Sequence, residues 1–178
     1  MTGKGECANP NSRPWIVREH QPGDIGWIVA KCGQVYPKEY KWNILYESEV
    51  CKKCADFIDN FDPSNDRCWI AELDGQQIGS IALRKDRNSP GTALLNFLVV
   101  DKEVRGLGVA KNLIQECLEF AKEKGYKTLR FRTFSDLQRA RQIYARIGFK
   151  IVEQEENIWF GKKMTLEYWE AAYDKAKL

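Results

Sequence analysis

The chain has 178 residues, 43% hydrophobic and 30% charged, a balance that fits one packed domain and excludes a disordered or fibrous chain. Its 28 basic and 25 acidic side chains leave a net charge of +3, too small by itself to argue for nucleic acid as a partner. No apolar run approaches a membrane span and the opening residues lack a signal peptide's apolar core, so the expected location is the cytoplasm.

Residues 1–13 read as a loose polar tail and residues 14–178 as a single domain. Trp15, Ile16, Val17 and Arg18 form a first strand. Pro22, Gly23 and Asp24 offer a turn and a cap for a helix through Trp27 and Val29, which Gly33 is expected to end. A second helix spans residues 46–61, with Tyr46, Val50, Cys54, Phe57 and Ile58 at helical spacing. The cluster at residues 62–66 is a turn. Two strands then flank Asp74-Gly75, a pair that tolerates a type I′ hairpin turn.

Residues 94–100 are a nearly continuous apolar run, as expected of a strand covered on both faces. Asn96 is the one polar group in it and should face the same side as Leu98 and Val100. After a glycine-containing turn, Val109, Leu113, Ile114, Cys117, Leu118 and Ala121 share the apolar face of a helix. A strand at residues 128–133 follows. Leu137, Ala140, Ile143, Tyr144 and Ile147 then share one face of a last core helix, and Gly148 is placed to end it. A strand from Lys150, another near residues 160–166 and a short charged helix over residues 167–177 complete the chain. The order implies an α+β fold with one mixed, mostly antiparallel sheet of six to seven strands and about four helices.

There are six cysteines. Cys51 and Cys54 have a redox or half-zinc spacing, but no second pair matches it and His20 is the only histidine, so no metal site is expected. Free thiols in a reducing compartment are the favoured reading.

The turn at residues 105–110 carries chemistry. Gly106 and Gly108 let the backbone bend sharply and approach a ligand. Free amides at the helix start, with the helix dipole behind them, suit a pyrophosphate. A Walker loop would need a Lys-Ser/Thr pair at a spacing absent here. A dinucleotide fingerprint would want a small residue in place of Lys111 and an earlier position in the chain. A kinase loop would need distant partner motifs that are missing.

Arg105-x-x-Gly108-x-Ala110 resembles the Arg/Gln-x-x-Gly-x-Gly/Ala signature of the GNAT superfamily of N-acetyltransferases. Ala140, Tyr144, Gly148 and Phe149 resemble that superfamily's Ala-x-x-x-Tyr-x-x-x-Gly-Phe element, about thirty residues on. A finer resemblance, to the acetyltransferase half of bacterial MarR-type/GNAT fusions, rests on residues 22–27, 60–63 and 67–72.

The resemblance implies acetyl-CoA as cosubstrate, bound by Leu98, Val99, Val100, Arg105, Gly106, Leu107, Gly108, Val109, Ala110, Lys111 and Leu137. It implies that the strand ending near Val100 and the strand after Thr128 splay apart, and that the pantetheine arm pairs with the first of them. Amides near Leu98 and Val99 would polarise the thioester carbonyl. Tyr144 would protonate the departing thiolate, its phenol keeping its proton at neutral pH; as a core tyrosine it would only pack.

Two positions depart from the superfamily's pattern. Many members place a glutamate base on the central strand where this chain has Asn96, which could orient a water or the acceptor but takes no proton. Leu137 stands where many have an asparagine. Glu39, Glu47 and Glu72 are other candidate bases, and a water-mediated route needs none of them. Trp27, Tyr36, Tyr40, Trp42 and Tyr46 would wall the acceptor site against a cationic amine, or serve only as packing between helices.

These residues imply acetyl transfer to a primary amine of a small molecule or a protein. A non-catalytic acyl-CoA sensor is the alternative, and a homodimer is compatible with either. A nucleic-acid module is the weaker rival. Lys122, Lys124, Lys127, Arg130, Arg132, Arg139 and Arg141 lie close in sequence but alternate with apolar and acidic residues.

Overall fold

The structure, a computed structural model, describes residues 15–173; the tail expected at residues 1–13 lies outside them. In chain order its elements are β1 (Ile16–Glu19), α1 (Asp24–Tyr40), α2 (Leu45–Asp59), β2 (Arg67–Leu73), β3 (Gln76–Lys85), β4 (Thr92–Val100), α3 (Val109–Glu123), β5 (Thr128–Phe134), α4 (Gln138–Ile147), β6 (Lys150–Trp159) and β7 (Lys162–Ala172). A single 3-10 turn, Lys102–Val104, joins β4 to the glycine loop. One seven-stranded sheet runs β1-β2-β3-β4-β5-β7-β6. Its β4–β5 pair is parallel and its other pairs are antiparallel. This is the α+β arrangement that the periodicity implies.

The sheet separates two apolar layers. Ile81, Leu83, Ala93, Leu95 and Leu129 pack with Val109, Leu113, Ile114 and Cys117 of α3 on one face. Cys68, Ile70, Ala82 and Val99 pack with Ile28 and Cys32 of α1 and Val50, Cys54 and Phe57 of α2 on the other. A Cβ added at Gly79 would stand 3.1 Å from both Leu113 and Val109, so glycine there lets the start of α3 lie close on β3.

Three expectations are corrected. Helix α1 does not end at Gly33 but runs through it and Pro37 to Tyr40. A Cβ at Gly33 would meet the Glu47 carboxylate at 2.8 Å, so this glycine serves the close approach of α2 rather than a helix stop. Residues 167–172 are strand, not helix: they form the second half of β7, paired to both β5 and β6. Their alternation, with Glu167, Trp169 and Ala171 buried, is the period of a strand; residues 174–177 of the expected helix lie outside the described residues.

The third concerns β4. Ser80 pairs with Val99 and Ala82 with Asn96, so β4 carries one extra residue at a bulge where Phe97 adopts φ 56°. The bulge reverses the alternation beyond it. Asn96 therefore shares the α1/α2 face with its partner Ala82, whereas Leu98 and Val100 pack on the α3 side.

Candidate active site

Strands β4 and β5 pair only over Thr92↔Thr128, Ala93↔Leu129 and Leu94↔Arg130. Both continue, β4 to Val100 and β5 to Phe134, without pairing, so the sheet opens into a slot between them. A cleft of about 600 Å³ occupies the slot, lined by residues 95–100 of β4 and 131–134 of β5. The glycine loop borders one end, α4 one wall, and α1 and α2 the other side.

At the loop, Gly106 and Gly108 have φ 87° and 89°, and a Cβ at either would meet nothing within 4 Å. The turn thus needs glycine for its backbone and leaves open space beside it. The first helical bond of α3 is donated by the Asn112 amide to the Gly108 carbonyl at 3.0 Å. The amides of Val109, Ala110 and Lys111 precede it and have no helical acceptor. Arg105, Val109, Ala110 and Lys111 line the cleft with Leu98, Val99, Val100 and Leu137. Leu107 does not; its side chain is 55% exposed. These features fit the parts of acetyl-CoA: open amides for the pyrophosphate, and an apolar slot with a free strand edge for the pantetheine arm.

Two tyrosines face each other across the slot. Tyr144, on α4, lines the cleft with its ring 4.0 Å from that of Phe131. Burial, then the nearby Cys117, pushes its phenol well above the usual tyrosine value. Tyr36, on α1, donates to the Leu98 carbonyl at 3.1 Å, and burial pushes its phenol up as well. The Ser80 hydroxyl donates to the Phe97 carbonyl at 2.7 Å. These two bonds hold the β4 bulge from the α1 side and from β3. Neither was foreseen: Tyr36 appears in the sequence only as part of an aromatic group, and Ser80 as an ordinary strand residue.

The aromatic group assembles in part. Trp42 has Tyr36, Tyr40, Tyr46, Phe134 and Phe160 within 6 Å by ring centroid. Trp42 is buried among them and lines the cleft together with these neighbours. The Asn43 amide bonds the Phe160 carbonyl at 3.0 Å, which fastens the α1–α2 loop to the β6–β7 hairpin above the cleft. Trp27 is elsewhere, packed in the α1/α2 layer beneath Lys31.

None of the three candidate acids is a free base in the cleft. Glu39 accepts from Arg105 at 2.8 Å, Glu47 packs against Gly33, and Glu72 pairs with Arg18 at 2.6 Å, away from the slot. Glu49 lines the cleft, 3.3 Å from Lys53. Asn96 lines it too, its amide 3.3 Å from the Leu94 carbonyl. Among the described residues no group of three or more metal-ligating side chains occurs. Cys51 and Cys54 share α2, one exposed and one buried, and burial pushes the Cys54 thiol up to about 12.

An open parallel pair beside a glycine turn that feeds a helix is the architecture of an acetyltransferase-type domain. The model of the acetyltransferase (GNAT) family matches residues 27–149, and the chain belongs to that family, a class of N-acetyltransferases that use acetyl-CoA. N-acetyltransferase 8B of Mus musculus is 34% identical over 125 residues, covering 68% of this chain and 47% of that protein. A GNAT-family acetyltransferase of Staphylococcus aureus has the same fold, with TM-score 0.74 at 17% identity, covering 89% of this chain and 99% of that one. A structure assigned as a streptothricin acetyltransferase of Bacillus anthracis, in complex with acetyl coenzyme A, has TM-score 0.57 at 28% identity, covering 65% and 68%. The chain spans a third to about half of the length of the first curated relatives it matches.

Proposed function

We propose that the chain transfers the acetyl group of acetyl-CoA directly to a primary amine, with Tyr144 as the acid for the leaving thiolate. The observation that carries this is the slot between β4 and β5, with the glycine loop at one end and Tyr144 on its wall. The amine nitrogen attacks the thioester carbonyl, an N–C bond forms and the C–S bond breaks. The amine's proton leaves to water, and the Tyr144 hydroxyl gives its proton to the sulfur. Amides at the bulge, near Leu98 and Val99, stabilise the carbonyl oxygen as it gains charge. Asn96, on the α1/α2 face, orients the acceptor or a water and takes no proton. A raised phenol pKa suits an acid that must remain protonated until the sulfur departs.

The missing glutamate favours a second reading. With Asn96 on the strand, the domain could bind acyl-CoA as a sensor without turnover, in keeping with its finer resemblance to the MarR-type fusions. Described cysteines that are all free support a reducing compartment, the cytoplasm. Among the described residues no helix is long and apolar enough to cross a membrane.

Thiol release from acetyl-CoA over a panel of amines separates the two readings: the enzyme turns over, and the sensor binds without turnover. In the enzyme, Tyr144→Phe lowers kcat by roughly ten- to a thousandfold with little change in acetyl-CoA affinity, the range of one general acid. The deficit shrinks with a more acidic leaving thiol. Because burial raises the phenol's pKa, Tyr144 gives no descending limb in kcat below about pH 10. An unchanged kcat in the folded Phe variant would remove the acid role.

A further inference from the structure

Beyond the last β4–β5 pair, Leu94↔Arg130, the parallel register points to Asn96 and Arg132 as the next residues on that face. They stand on opposite banks of the slot where it begins to open, and both line the cleft. The face is the one that α2 covers: Ala82, the partner of Asn96, packs in the α1/α2 layer. From α2, Glu49 and Lys53 line the same cleft one helical turn apart. Asn96, Arg132, Glu49 and Lys53 therefore meet at the slot's mouth, on the side away from α3.

The charges there do not balance. Lys53 has Glu49 at 3.3 Å, whereas among the described residues Arg132 is in no ion pair. Of the acids on β7 beside its partner Tyr168, Glu167 faces the other side and is bonded to Arg141 at 2.9 Å, and Glu170, on Arg132's own face, is bonded to Arg130 at 2.6 Å. Two cations and one carboxylate leave one positive charge in excess beside an aromatic chamber formed by Trp42, Tyr46, Phe134 and Phe160. The phosphates of the cosubstrate have their own cations at the other end, Arg105 and Lys111. The excess at the mouth thus has no partner in the cosubstrate.

We infer that Arg132, assisted by Lys53, binds a carboxylate on the acceptor, so that the acceptor is an amine of amino-acid type. This deepens the acetyl-transfer reading and rests on it. A planar guanidinium matches a carboxylate with two parallel hydrogen bonds, and the body of the acceptor lies against the aromatic chamber. With its carboxylate on the β5 bank, an α-amino group reaches the slot beside Asn96. The same cations assist the chemistry, because a positive neighbourhood favours the neutral, nucleophilic amine over the ammonium. Lys53 reports that effect: burial, and then the Arg132 charge, hold its own ammonium below the usual lysine value.

The test uses three matched pairs of acceptors with acetyl-CoA and reads thiol release: L-phenylalanine with 2-phenylethylamine, L-leucine with 3-methylbutylamine, and L-tyrosine with tyramine. In at least one pair the carboxylate-bearing amine is expected to have a kcat/KM tenfold or more above its partner. Arg132→Ala should bring that ratio to within about threefold of one, chiefly through KM, and Arg132→Lys should keep part of it. Equal or better use of the decarboxylated amine in every pair overturns the inference while leaving acetyl transfer intact. If no amine is turned over although acetyl-CoA binds, the acetyl-transfer reading fails, and binding decides the anion site separately. Calorimetry of the CoA-loaded protein then compares N-acetyl-L-phenylalanine with N-acetyl-2-phenylethylamine. Tighter binding of the acid, lost in Arg132→Ala, supports the site, and equal or absent binding of the two overturns it.

Discussion

The two ends of the cleft are built from different materials. The end near α3 is built of backbone: two glycines at positive φ, three helix-start amides and a strand edge that β5 leaves unpaired. The end near α1 and α2 is built of side chains drawn from α1, α2, β5 and the β6–β7 hairpin, interlocked around Trp42. A backbone site binds one invariant ligand part and tolerates change in the surrounding side chains. A side-chain site can be remodelled to select an acceptor, and its residues also carry part of the fold's stability.

The largest effect should come from breaking the side-chain end at its centre. Trp42 is buried and contacts aromatic rings from α1, α2, β5 and the hairpin. Trp42→Ala should cost about 3–5 kcal/mol, as for other large core aromatics. For a chain of this size that is a fall in melting temperature of roughly 6–20 °C. The folded fraction should still bind acetyl-CoA within a few-fold of wild type, because the glycine loop is untouched. A thermal melt and calorimetry on one preparation check both statements, and a loss of acetyl-CoA affinity equal to the loss of stability would erase the contrast.

The reciprocal change is Gly108→Asp. Forcing a non-glycine residue to φ 89° costs on the order of 1–3 kcal/mol of strain, and the carboxylate would stand at the helix start to which we assign the pyrophosphate. The space around the position is open, so the protein should fold with only a modest loss of stability. Acetyl-CoA affinity should fall by about 2–3 kcal/mol, or roughly thirty- to a hundred-and-fiftyfold. Unchanged affinity in the folded variant would remove the pyrophosphate assignment.

The same contrast explains what could be read in advance. The glycine loop and the α4 face are local: their residues are neighbours in sequence, and turn chemistry or helical period places them. Tyr144 and Gly148 sit where that period puts them, with Gly148 capping α4 at φ 106°. The acceptor end is assembled from segments far apart in the chain, and no spacing announces that Lys53 and Arg132 meet. Asn96 shows a different limit. Strict alternation puts it on one side with Leu98 and Val100, and one extra residue at Phe97 sends those two to the other face. Gly33 misled because a glycine that stops a helix and one that admits a neighbouring helix look alike in sequence. Residues 167–172 misled because one of the residues on the buried side of the strand is a carboxylate, Glu167, alongside Trp169 and Ala171.

The smallest expected effect lies where the two ends touch. Glu39, in the last turn of α1, belongs by sequence to the acceptor end, yet its carboxylate accepts from Arg105 of the glycine loop at 2.8 Å. Each partner keeps roughly a quarter to a third of its side chain exposed, so the pair should contribute no more than about 1 kcal/mol. Glu39→Gln keeps the shape, weakens the hold on Arg105 and removes a negative charge near the pyrophosphate site. Those changes oppose one another, and acetyl-CoA affinity should move by less than about fivefold in either direction. If the carboxylate is occupied in positioning the loop, kcat with a good amine should change by less than about threefold at any pH between 6 and 9. If Glu39 is instead the base, kcat falls by the hundredfold or more typical of losing such a group, and the deficit lessens as rising pH deprotonates the amine in solution. A pH series of kcat for the wild type and Glu39→Gln distinguishes these cases. The second outcome would merge the two ends into one catalytic unit, with the charge that organises the cosubstrate also receiving the acceptor's proton.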